Sequence, residues 1–202
     1  MEAFPSMCSE TRKEGVCIMM QKAFHDLRRS AKQGKDLRVL LIAAMFVALN
    51  LAIDQFSLQI TPELKLSVGF VTGAMTGFLC GPSIAMLAGA ITDVLAWMIR
   101  PVGPFFLGFT LTAALAGLIY GLVLYRCKFT FGRALLAKAL INLICNIGLT
   151  TLWVSMLGGK AFFVLLPLRA LKNLLLLPIE AFLLYLLGRG LETILTRGKI
   201  KL

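Results

Sequence analysis

Asp93, Trp97 and Arg100 recur at i, i+4 and i+7 in an otherwise apolar run, so one helix face carries an acid, an indole and a cation. A carboxylate there can accept from a ring amine and an adjacent ring N–H while the indole stacks on the ring, a combination suited to a flat heteroaromatic ligand. Placement of Trp97 in an interfacial aromatic belt is the other reading of that residue. A second set, Arg169, Lys172 and Asn173, stands at i, i+3 and i+4 near the start of the last apolar run. At 1.5 Å per residue it begins about 10 Å along that helix. Two cations at such depth require an anion, either a ligand in a water-filled cavity or Asp93 itself. A third set, Lys138, Asn142, Asn146, Thr150 and Trp153, follows steps of four, four, four and three and makes a polar stripe. Asn146 and Trp153 are its candidates for ligand contact, whereas Lys138 and Glu180, near the same ends of their helices, read as a structural ion pair.

Catalysis finds little support in these residue types. His25, the only histidine, precedes the apolar segments, and no acid pair or nucleophile with a base recurs at suitable spacing. A phosphate-binding glycine loop ending in Lys-Ser/Thr is also absent. The five cysteines show no metal spacing. These features predict a binding protein without metal or cofactor rather than an enzyme.

The elements that must position the polar residues are membrane helices. Hydrophobic residues make up 58% of the chain and charged ones only 15%, against roughly 25% in soluble domains. Its 202 residues supply about six spans of roughly 20 residues each. The net charge of +11 is concentrated in the segment before Leu37, in one loop at Arg126, Lys128 and Arg133, and in the end at Arg189, Arg197, Lys199 and Lys201. That distribution follows the positive-inside rule rather than a nucleic-acid surface, so both termini are expected in the cytoplasm and Lys65, Arg100 and Lys160 outside.

The sequence therefore predicts an all-α membrane protein, a compact bundle of six transmembrane helices at residues 37–188. A disordered basic cytoplasmic tail is expected at 1–36 and another basic tail at 189–202. The expected helices are Leu37 to Gln55, a second from near Leu66 to Gly81, Ser83 to Ile99, Phe105 to Tyr125, Ala134 to Leu157, and Phe162 to Leu187 with a kink at Pro178. Ala44, Ala48 and Ala52 form a small-residue stripe on the first, and Gly69, Gly73, Gly77 and Gly81 a seam of close backbone approach on the second. Phe56 to Leu66 is too polar to span and alternates enough to support a short extended segment beside the site.

Residues 37–188 resemble the substrate-binding S-components of energy-coupling factor (ECF) vitamin transporters, most closely the folate-specific subfamily. The resemblance is carried by the alanine stripe, by GFVTGAMTGFLCGPSIAMLAGAITD (Gly69 to Asp93), by PVGPFFLGFTLTAALAGLIYG (Pro101 to Gly121), and by LTTLWVSMLGGKAF with LLPLRALKNLLLLPIE, ending at Glu180. It implies a bacterial plasma-membrane protein that captures a vitamin outside and docks, through its first helix, on a membrane scaffold (T) subunit driven by two ABC ATPases. Folate is the implied ligand. A different vitamin such as pantothenate or riboflavin, an intramembrane enzyme, and a non-transporting membrane scaffold are the alternatives.

Overall fold

The computed structural model describes Leu27, Ser30 and residues 36–55, 58–61, 64–66, 69–101, 105–125, 127, 129–158 and 162–197. Helix α1 (Leu37–Gln55) is an apolar run with neither glycine nor proline. A two-stranded antiparallel hairpin follows, β1 (Leu58–Thr61) with β2 (Leu64–Leu66), pairing Leu58 with Leu66 and Gln59 with Lys65. The expected extended segment is thus present as a hairpin. It displaces the start of the second helix, so that α2 (Phe70–Cys80) has 11 residues instead of beginning near Leu66. At 1.5 Å per residue α2 covers about half of a hydrocarbon core about 30 Å thick.

Gly81, with φ +86°, lets the chain reverse within one residue, and Pro82 then starts α3 (Pro82–Ile99) where its missing N–H costs nothing. α4 (Leu107–Leu124) leads into α5, which runs as an α-helix at Phe131–Ile141, a π-helix at Asn142–Leu149 and an α-helix at Thr150–Gly158. The last helix, α6, is unbroken over Phe162–Arg197, ten residues beyond the expected end at Leu187, and contains both Pro167 and Pro178. Among the described residues five helices are long and apolar enough to cross a membrane, and α2 is a shorter apolar one.

Short α2 lies at the centre. Its Val71, Ala74 and Met75 join Tyr120 and Leu124 of α4, Phe129 just before α5, Ala134, Ala137, Ile141 and Cys145 of α5, and Leu184 of α6 in one core. A smaller cluster ties Val39 and Ala43 of α1 to Cys80 and Ile84. Buried threonines need no outside partner, because Thr72 donates to the Gly69 carbonyl at 2.7 Å and Thr76 to that of Thr72 at 2.9 Å.

The closest helix contact is between α3 and α4. Gly89 faces the Ala113 carbonyl, Gly117 that of Ala85, and Gly121 the backbone of Pro82, leaving no room for a Cβ at any of the three glycines. On α2 the expected glycine seam is only partly realised. Gly77 meets the backbone of Gly121 and Tyr120, but nothing lies within 4 Å of a Cβ placed on Gly73.

Before α1, the chain is packed rather than solvated at Ser30, which is fully buried and donates to the Cys80 carbonyl at 3.0 Å. Ser83 in turn donates to the Leu27 carbonyl at 2.8 Å. On α1 itself, Val39 and Ala43 are buried while Ala44, Ala48 and Ala52 are exposed beside Leu41, Met45 and Leu49. The alanine stripe therefore does not pack inside this chain.

Candidate functional site

The one-residue turn at Gly81 makes α2 and α3 antiparallel, so the hairpin before α2 and the last turns of α3 share one end of the bundle. Asp93 occupies those turns, half-buried, and accepts a hydrogen bond from the Thr110 hydroxyl of α4 at 2.8 Å. One turn further, Trp97 is 36% exposed and meets Phe105 edge-on with ring centroids 5.2 Å apart. Arg100 is the residue after the helix, with φ −138° and ψ 86°, and is exposed; its N–H still donates to the Ala96 carbonyl at 3.0 Å.

α4 serves two neighbours at once. Thr110 and Thr112 are two positions apart, which places them on opposite sides of a helix, so one hydroxyl reaches α3 and the other α5. Thr112 accepts the indole N–H of Trp153 at 3.0 Å and donates to the Gly108 carbonyl at 2.9 Å. Phe106 lies against Trp153, centroids 5.3 Å apart, and 6.0 Å from Phe109. Asp93 and Trp153 are thereby held on either side of the same helix entry.

Polar groups of α5 continue from Trp153 toward the centre. The Asn146 amide donates to the Asn142 side-chain oxygen at 2.8 Å, and the Asn142 amide reaches the Asn173 carbonyl of α6 at 3.4 Å. Asn173 thus enters the network through its backbone. The Thr150 and Thr151 hydroxyls bond the carbonyls five residues back, Cys145 and Asn146, following the wider register of the π-helix.

Beneath these groups lies the expected ion pair. Lys138 Nζ is 3.3 Å from Glu180 Oε2 and 3.8 Å from the centroid of the Phe70 ring, with the lysine almost wholly buried. Lys172 is half-buried on α6. Arg169 lies in α6, its side chain outside the described residues.

The structure consequently brings Asp93, Asn146, Trp153 and the Asn173 backbone into connected pairs across α3, α4, α5 and α6. It leaves Arg100 at the rim. Thr110, Thr112 and Phe106 are the partners that sequence reasoning missed. Their signal was weak, because a threonine in an apolar helix ordinarily donates to its own backbone, as Thr112 does, and only the neighbouring helices reveal the further partners.

Polar side chains beside aromatic rings within an apolar helix bundle suit a membrane protein that binds a polar substrate. Residues 38–188 match the family described as ECF transporter, substrate-specific component. The chain belongs to that family and is a multi-pass protein of the cell membrane. It is similar to the folate transporter FolT of Clostridium novyi (strain NT), 36% identical over 151 residues, covering 75% of this chain and 88% of the relative. The folate transporter FolT of Leuconostoc mesenteroides is 35% identical over 158 residues, covering 75% and 85%. A crystal structure of FolT bound with folic acid superposes with a TM-score of 0.71 at 31% identity, covering 76% of this chain and 94% of that one.

Proposed function

We propose that this protein is the folate-capturing subunit of an ECF importer and catalyses no reaction itself. The observation that carries the reading is its likeness to the FolT structure bound with folic acid, which takes in 76% of this chain and 94% of that one. The residues are suited to that ligand. Folate has a pterin with ring donors and a glutamate tail with two carboxylates. Asp93, beside Trp97 and braced by Thr110, fits the pterin edge; Trp153 and Asn146 line the site from the other side of α4; Arg169 and Lys172, with Asn173, fit the tail. Arg100 at the rim would draw the anion in.

On this reading the end holding the hairpin faces outward, and the basic connections and both termini face the cytoplasm. The exposed Ala44, Ala48 and Ala52 stripe meets the scaffold subunit, which two ATPases drive. Ala48→Trp should then abolish uptake in vesicles while the isolated protein binds folate unchanged. Joint loss of uptake and binding would assign the stripe to internal packing.

The ligand assignment is tested by calorimetry on the purified protein. Loss of a charge-assisted bond costs about 1.5 to 3 kcal/mol, roughly one to two decades of affinity. Arg169→Ala and Lys172→Ala should weaken folate by that amount and leave a pterin fragment without glutamate nearly unaffected, whereas Asp93→Asn should weaken both. Equal losses for folate and fragment in the cation variants would remove them from the tail site. Binding of riboflavin or pantothenate in place of folate would overturn the reading as a whole.

A further inference from the structure

The hydroxyl of Thr112 has one proton and spends it on the Gly108 carbonyl at 2.9 Å, so its oxygen meets the Trp153 N–H, 3.0 Å away, as an acceptor. Both bonds are compatible, and together they fix the indole relative to the first turn of α4. Gly108 permits this placement. A Cβ on it would stand 2.7 Å from Cδ2 of Trp153 and would collide with the Phe106 ring. With Phe106 against it at 5.3 Å, the indole is held by a hydrogen bond, a glycine backbone and a second ring. Its only polar hydrogen is already used, so what Trp153 can offer a ligand is its π-face.

We propose that Thr112 is a positioning residue for the ligand site, its hydroxyl taking the indole N–H of Trp153 so that this ring serves as a stacking platform for a flat heteroaromatic ligand rather than as a hydrogen-bond donor. The inference rests on the folate reading above and adds a determinant of ring selectivity. Stacking accepts any π-face, so choice among flat rings falls to Asp93 across the helix entry, while Thr112 and Gly108 decide whether a ring is accommodated there at all.

The test uses the full chain in detergent with 5-fluorotryptophan at its two tryptophans, whose fluorine resonances are assigned from a Trp97→Phe spectrum. Adding folate should move the Trp153 resonance. In Thr112→Val that resonance should already be displaced without ligand, and folate and a pterin fragment should both weaken about tenfold, equivalent to about 1.4 kcal/mol. Thr112→Ser, which keeps the hydroxyl, should restore the resonance and the affinity. A serine variant as weak as the valine variant would overturn the proposal, because side-chain bulk would then be what matters. The unsubstituted protein gives a second reading that depends on no variant's folding: folate bound by calorimetry with a silent Trp153 resonance refutes the platform alone. Absence of any folate binding refutes the ligand assignment as well.

Discussion

α3 and α4 are joined by backbone against backbone, whereas α5 and α6 are joined through side chains. In the first pair Gly89, Gly117 and Gly121 touch a partner's main chain directly, and three contacts spaced by about one turn leave the two helices a single way to fit. In the second pair the contacts include Lys138 with Glu180 and the Asn146–Asn142–Asn173 chain, next to eight residues of π-helix. Close-packed glycine seams have one deep minimum, while long polar side chains and a widened helix can rearrange at modest cost. The frame and the adaptable wall of the site are thus different halves of one bundle, and Asp93 and Trp153 belong to opposite halves.

The comparison is most severely tested on the polar side. Lys138→Ala leaves the half-buried Glu180 without its partner and should cost up to about 3 kcal/mol, read as loss of folded protein in a thermal melt in detergent. Replacing both residues by apolar ones of similar size, Lys138→Met with Glu180→Leu, should recover most of that loss. If the single variant melts like the parent, the ion pair is not what joins α5 to α6.

An effect no larger is expected in the glycine seam, where Gly117→Ala drives a methyl into the Ala85 carbonyl and should cost about 1 to 3 kcal/mol. Gly73→Ala is the control on the neighbouring helix. With open space around it, the added methyl should be neutral or stabilise by up to about 1 kcal/mol through helix propensity. Equal destabilisation by the two substitutions would mean that glycine content, and not backbone contact, sets the stability of this half.

Much of this arrangement was legible from local pattern. The bounds of α1 follow from an apolar run closed by polar residues on both sides, and Gly81-Pro82 marks a turn because only those residues suit a reversal that short. The pair of Lys138 and Glu180 was likewise readable, since two opposite charges at matching depth in apolar helices must find each other.

Other features had no local signature. Four residues overshoot an α-helical turn by about 40°, whereas in the wider π-helix they fall short of one. A stripe spaced by fours therefore stays aligned from Lys138 to Trp153, and the same spacing hides the change of helix type at Asn142. Counting puts Arg100 in the helix with Asp93, and spacing alone does not mark that the helix ends at Ile99.

What the sequence by itself determined is that the chain forms apolar helices, that its ionisable residues must face one another or a ligand, and that one set of its connections is basic. Each of these follows from composition and spacing along a single segment. Tertiary structure alone decided that α2 is half a span, that Gly117 touches a neighbour while Gly73 does not, and that the hydroxyl of Thr112 accepts the indole of Trp153. Those outcomes depend on which helices stand side by side and at what height, and every segment's periodicity is satisfied by many such arrangements, so only the simultaneous packing of all six selects one.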